Sequence, residues 1–239
     1  MKNEAAELGA RVIAPDRPGF GLSDFKRNRQ IVDWPSDVIE LADAISIDKF
    51  AILGVSGGGP YALVCAAKIS TRITNAAICA SMGPADAPGA SKGTAMYIPS
   101  KNTLVRKLLL MGMATGLRRD PDRVLSQIKN TFPEVDCLML SRPEIEQPFM
   151  DSLREAYRSG TNGYSLEASL YMRLWGFRLL DVPLMVHIWH GEDDGNVPIS
   201  VGRYLAKTIP NSKAYFLTKE GHLSIGTNNI KDILKVLIA

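Results

Sequence analysis

The stretch Asp48-Lys-Phe-Ala-Ile-Leu-Gly-Val-Ser-Gly-Gly-Gly-Pro-Tyr-Ala-Leu63 decides how this chain folds. An apolar run, Phe50 to Leu53, leads straight into Gly54-Val55-Ser56-Gly57-Gly58, and a helix-prone segment, Tyr61 to Ile69, follows at once. A strand that runs through G-x-S-x-G into a helix makes a turn tight enough to lift the serine Oγ clear of the strand end. Such a turn is expected to need glycine on both flanks of the serine, because a Cβ has no room there. The helix behind it aims free backbone N–H groups at the same spot, where an oxyanion can be held. Ser56 is therefore the candidate nucleophile.

A glycine-rich turn between strand and helix can also cradle a phosphate. Here no Lys follows the glycines, as a Walker-type loop requires, and the nearest dinucleotide pattern is the weak G-x-G-x-x-A from Gly57 to Ala62. The preceding run is continuous and apolar, which suits a parallel strand buried on both faces.

Outward from this stretch, strand and helix patterns alternate. Asn3 to Leu8 reads as the end of a helix closed by Gly9, and Arg11 to Ala14 as a short strand. The turn-rich Pro15-Asp-Arg-Pro-Gly-Phe-Gly-Leu-Ser-Asp24 comes next. A helix is predicted over 35–45, where Val38, Leu41, Ala42 and Ile45 share one face, and a strand near Ala76 to Ala80. Between Gly83 and Leu180 the texture turns helical: Leu104 to Met113, Pro121 to Phe132 with Asp120 as N-cap, Pro148 to Arg158, and Ser165 to Phe177. Met96, Met111, Met113 and Met172 read as packing within this segment, or as an adaptable apolar lining. The α/β pattern resumes with a strand over Pro183 to Trp189, a helix over Ile199 to Thr208, a strand over Lys213 to Leu217 and a last helix over Asn229 to Leu237. The expected class is α/β, a mostly parallel sheet flanked by helices, with core residues 1–82 and 181–239 and a helical insertion over 83–180.

Composition narrows the function. At 239 residues, 46% hydrophobic and 22% charged, the chain can bury a sizeable core. Its net charge of +3 is spread out, and no aromatics interleave with the paired cations, so a nucleic-acid surface is not expected. Cys65, Cys79 and Cys137 lack C-x-x-C spacing and read as small buried side chains in a reducing compartment. No secretion signal or membrane-length apolar run is visible, so the expected location is cytoplasmic, with a small molecule as partner and no membrane.

A serine hydroxyl needs a base, and the chain has three histidines. His187 lies inside an apolar strand and His190 at its end, where a hydrogen-bonded structural role fits better. His222 sits in a Gly-His loop between strand and helix, where no packing pattern explains it, and is the candidate base. The base needs a carboxylate in turn, and Glu192, Asp193 and Asp194 all follow the strand that ends at His190.

The serine, acid and histidine follow the chain order of the α/β-hydrolase superfamily, and most of the sequence resembles it. Val12 to Asp24 is similar to the strand and loop that precede the elbow, Gly54 to Pro60 to the elbow, and Gly221-His222-Leu223 to the histidine loop. Gly191-Glu-Asp-Asp-Gly-Asn-Val-Pro198 resembles G-x-x-D-x-x-V-P, which implies Asp194 as the acid; some relatives place it where Asp86 stands. The resemblance implies a serine hydrolase with Gly57 N–H in the oxyanion hole, a cap over 83–180, and no metal or organic cofactor. A serine rather than an aspartate at the nucleophile position sets the chain apart from epoxide hydrolases and haloalkane dehalogenases. In such proteins a strand also lies between those at Val12 and Phe50, and its loop, often of His-Gly type, gives a second oxyanion donor. No such strand precedes Val12 here, so the sequence is expected to be an N-terminally truncated piece of a longer protein, or else a complete one whose sheet has re-paired. The implied reaction is hydrolysis of a small carboxylic ester or related acyl compound. The alternatives are an inactive or ligand-binding relative, and a cofactor-free haloperoxidase-like activity.

Overall fold

Four strands, β1 (Phe50–Val55), β2 (Ile73–Cys79), β3 (Val186–Gly191) and β4 (Ser212–Leu217), pair in that order into one parallel sheet in the computed structural model, which describes residues 2–90 and 103–239. Parallel neighbours cannot be joined by a tight hairpin, so each crossover carries helix. Helices α1 (Lys2–Glu7) and α2 (Trp34–Ala44) precede β1, and α3 (Gly59–Lys68) connects it to β2. Between β2 and β3 lie α4 (Thr103–Arg119), α5 (Pro121–Lys129), α6 (Glu134–Met139), α7 (Pro143–Ala156) and α8 (Asn162–Tyr171). Helix α9 (Ile199–Thr208) links β3 to β4, and α10 (Ser224–Asn228) and α11 (Ile230–Ile238) follow.

The sheet is apolar on both faces because both are covered. Ala76, Ile78, Val186 and Ile188 pack with Leu63 and Val64 of α3 and with Val201 and Leu205 of α9. Their neighbours along the strands, Ala77, Cys79 and Trp189, point the other way and meet Ile225 of α10 and Ile233 and Leu237 of α11. Helix α1 lies on α11, with Ala5 buried against Ile230 and Leu234. The helices between β2 and β3 have a core of their own, built on Leu117, Val124, Leu125, Leu140, Met150 and Tyr157.

Several expected elements sit where the patterns place them. Gly9 follows α1 at φ +67°, and the Asp120 carboxylate accepts from the Arg123 N–H at 3.1 Å to cap α5. Others differ. Arg11 to Ala14 joins no ladder; Val12 and Ile13 are exposed, and the outer edge of β1 has no strand partner among the described residues. A strand forms only where another backbone can take up its hydrogen bonds, which propensity cannot supply. Helix α7 starts at Pro143, and Pro148 lies inside it at the cost of one intrahelical bond. Helix α8 spans Asn162–Tyr171 rather than Ser165 to Phe177, and β3 is shifted toward His190 and Gly191. Helices α6 and α10 are too short for a periodic pattern to reveal. Met113 packs in the helical core, Met172 is half-buried and Met111 is exposed, while Met96 lies outside the described residues.

Candidate active site

Three strand ends converge on one point. Ser56 follows β1 at φ +52°, a left-handed conformation that costs a residue with a Cβ about 1–3 kcal/mol. The surroundings enforce it: the Ser56 carbonyl accepts from the Met82 N–H at 3.1 Å, and a single 3-10 turn, Ser56–Gly58, leads directly into α3. The glycines around it are required for different reasons. A Cβ on Gly54 would lie 2.6 Å from the Gly58 carbonyl oxygen and 2.7 Å from the Ala62 Cβ. One on Gly57 would lie 2.4 Å from the Tyr171 hydroxyl, and one on Gly59 1.7 Å from Ser81 Oγ. Gly58, expected to be sterically required, has nothing within 4 Å of its Cβ position. The tight approaches come from α3, α8 and the end of β2, not from the turn alone.

The imidazole of His222, in the loop between β4 and α10, bridges to the serine. Its Nε2 lies 2.9 Å from Ser56 Oγ, and its Nδ1 lies 2.9 and 3.1 Å from the two oxygens of Asp194. A carboxylate only accepts, so Nδ1 carries the proton, and Nε2 is left to accept from the serine hydroxyl. Asp194, in the turn after β3, has a fully buried side chain. Its Oδ1 also accepts the N–H groups of Asn196 and Val197 at 2.8 Å each, so the turn that carries it is folded around its charge. The other candidate acids lie elsewhere. Glu192 pairs with Arg203 at 3.0 Å, and Asp193 and Asp86 are exposed.

His190 braces this turn from β3. It is completely buried, its Nε2 donates to the Val197 carbonyl at 2.8 Å, and the same nitrogen lies 3.5 Å from Asp194. Burial pushes its pKa below the ordinary 6.5, against the pull of Asp194, so the ring is neutral. His187 is half-buried and stacks with Trp189 and Tyr215, away from the serine. Burial raises the thiol pKa of Cys65 and Cys79 to about 12, which removes both as nucleophiles.

A cavity of about 450 Å³ opens beside the elbow, lined in part by Val55, Gly57, Phe20, Tyr164 and Tyr171. The Tyr171 hydroxyl donates to the Gly57 carbonyl at 2.9 Å. Arg17 and Glu167 also line the cavity, and they belong to a buried charge network that no sequence pattern announced. Arg29 pairs with Glu167, Tyr61 donates to Glu167 at 2.7 Å, and Arg17 lies 3.5 Å from the same carboxylate with its guanidinium over the Tyr61 ring. Burial acts to raise the Glu167 pKa, yet the charges of Arg17 and Arg29 outweigh it and hold the carboxyl below its usual range. Asp136 of α6, likewise unannounced, sits against the backbone of the histidine loop.

The fold has counterparts among known proteins. The family model described as the alpha/beta hydrolase fold matches residues 1–228. A 2-hydroxymuconate semialdehyde hydrolase of Pseudomonas putida is 26% identical over 215 residues, covering 89% of this chain and 70% of its own length. Among solved structures, an esterase from Rhodococcus sp. superposes with TM-score 0.69 at 20% identity, over 99% of this chain and 84% of that one. A bromoperoxidase from Bacillus anthracis does so with TM-score 0.70 at 18% identity, over 99% and 84%. With a family match over nearly its whole length and a parallel sheet that carries the serine elbow at its edge, the chain belongs to the alpha/beta hydrolase fold family.

Proposed function

We propose that the protein is a serine hydrolase that cleaves a small carboxylic ester or related acyl compound through an acyl-enzyme, with Ser56 as nucleophile, His222 as base and Asp194 as the acid that orients it. The observation that carries this reading is the unbroken hydrogen-bonded line from Ser56 Oγ through His222 to Asp194, drawn from three separate strand ends. His222 Nε2 takes the hydroxyl proton as Oγ attacks the acyl carbonyl. The carbonyl electrons move to oxygen, which the Gly57 N–H at the head of the 3-10 turn stabilises. Collapse expels the leaving group, which takes the proton from His222. Water then repeats the sequence on the acyl-enzyme and frees the acid and Ser56. Asp194 keeps Nδ1 protonated and balances the imidazolium that forms in each step.

The helices between β2 and β3 act as a cap over the cavity beside Gly57, and the cavity takes the acyl group. Relatives named as a 2-hydroxymuconate semialdehyde hydrolase and a 2-hydroxy-6-oxo-6-phenylhexa-2,4-dienoate hydrolase favour one further reading, carbon–carbon bond hydrolysis of a 2-hydroxy-6-oxo-dienoate, which the same serine and base can perform. The test uses the chain and Ser56→Ala with a fluorophosphonate probe, both checked by circular dichroism. Labelling of the chain but not of Ser56→Ala supports the reading, and a folded, unlabelled chain sinks it in favour of an inactive relative. Turnover of p-nitrophenyl acetate against that of a 2-hydroxy-6-oxo-dienoate then separates ester from carbon–carbon substrates.

A further inference from the structure

The histidine loop is anchored from outside the sheet. Asp136 on α6 is completely buried, and its Oδ2 accepts from the His222 N–H at 2.7 Å. Its Oδ1 accepts from the N–H groups of Leu223 and Ser224 at 3.0 Å each. The Gly221 N–H goes to Ser224 Oγ at 2.7 Å, so four successive amides of the loop are satisfied, three of them by one side chain. Two of them, those of Leu223 and Ser224, are open amides at the start of α10, whose N-cap residue, Leu223, has no side-chain oxygen to offer. Asp136 does the work of an N-cap from 86 residues away in sequence. The Leu223 side chain packs into the core of the helical segment, so the loop is attached to that segment at two points. The fit is close: a Cβ on Gly221 would lie 2.5 to 2.6 Å from the carboxyl atoms of Asp136.

A buried carboxylate is costly unless its lone pairs are filled, and here they are filled by the backbone that carries the imidazole. We propose that Asp136 is the positioning residue of the histidine loop, holding His222 at bonding distance from both Ser56 and Asp194 and tying the base to the helical segment. This rests on the reading of His222 as the base. Asp136 acts through the main chain of residues 222 to 224. Without it those amides turn toward other acceptors, and the ring loses its simultaneous 2.9 Å contacts to Ser56 and Asp194. Displacement of α6 relative to the sheet would move the base in the same way.

The experiment measures fluorophosphonate inactivation as two parameters, the reversible binding constant KI and the covalent rate kinact, for the chain, Asp136→Ala, Asp136→Asn and Gly221→Ala. Circular dichroism and Tm are recorded for each. The expected result is a kinact about 100-fold lower in Asp136→Ala, the size of a roughly 1 Å misplacement, with KI little changed. Asp136→Asn, which keeps one acceptor oxygen, recovers part of the loss. Gly221→Ala keeps the carboxylate but pushes it away, and should lower kinact as well. Should Asp136→Ala fail to fold, the other two variants decide. Folded variants with wild-type kinact, or with a raised KI alone, overturn the inference and leave Asp136 a merely structural group. An unlabelled wild-type chain instead overturns the reading of Ser56 and His222, and the inference with it.

Discussion

At the scale of single residues, the site depends on glycines whose roles differ although they stand side by side. Gly54→Ala places a methyl 2.6 Å from a backbone oxygen that cannot retreat, so it is expected to destabilise by about 1–3 kcal/mol and to slow Ser56 labelling. Gly58 has ordinary helical angles (φ −76°) and open space, so Gly58→Ala should raise stability by about 0.4–1 kcal/mol by restricting the unfolded chain. Urea unfolding of the two variants checks both signs; equal destabilisation would contradict the assignment. His190 makes a second prediction. Its folded-state pKa is depressed by burial, so the unfolded chain binds more protons as pH falls below the ordinary 6.5. Its contribution to stability is therefore complete above that value and is lost on acidification. His190→Gln is expected to flatten the fall of Tm between about pH 6.5 and 5, at some cost at neutral pH because the Val197 contact is weakened. Ser56 and His222 were legible as candidates because a Gly-flanked serine between an apolar strand and a helix, and a lone Gly-His loop, have no packing pattern to explain them. His190 was legible as structural, but its support of the Asp194 turn was not, since that depends on where Val197 lies.

At the scale of elements, α8 joins the helical segment to the sheet through charge. Glu167 on α8 meets Arg29 and Arg17 from the chain ahead of β1, with the Arg29 and Glu167 side chains at 3% and 1% exposure. Removing one member of a buried pair leaves the other without compensation, so Glu167→Ala should destabilise by about 3–5 kcal/mol, measured by urea denaturation. The Glu167 pKa is held below its usual range, so this stabilisation is present above the unfolded carboxylate value and is lost as pH falls through the folded one. Glu167→Ala should therefore unfold with less dependence on pH in the acid range. Sequence periodicity located most long helices between β2 and β3 but could not foresee this pairing, which links residues 138 positions apart. It also overran α8, whose C-terminal side meets Gly176 at φ +80°, and missed α6 and α10, which have too few residues to show a period.

At the scale of the whole molecule, the helical segment and the sheet have distinct cores joined through Leu170 and Tyr171 of α8, which pack in the sheet's core, and through Leu223, Asp136 and the network around Glu167. Leu140 is completely buried in the helical core, and Leu140→Ala should cost about 2–5 kcal/mol. With the cores coupled in this way, far-UV circular dichroism and tryptophan fluorescence should report one coincident transition. An early loss of helix ahead of the fluorescence change would mean that the segment unfolds alone. The sequence by itself determined the class: a continuous apolar strand running through G-x-S-x-G into a helix, and strand–helix alternation on both sides of a helical stretch, leave an open parallel sheet as the arrangement that buries every apolar face. It also singled out the serine and the histidine, because each breaks a local pattern. The family resemblance implied Asp194, but the residues alone left Glu192, Asp193 and Asp194 open, and only the tertiary structure brought the Asp194 carboxylate to His222 through the direction the turn gives it. It alone left Arg11 to Ala14 unpaired, because a strand exists through its neighbour and not through its own residues. And it alone brought Asp136 to the histidine loop, because a hydrogen bond across 86 residues is set by how the helices pack and leaves no periodic trace in the chain.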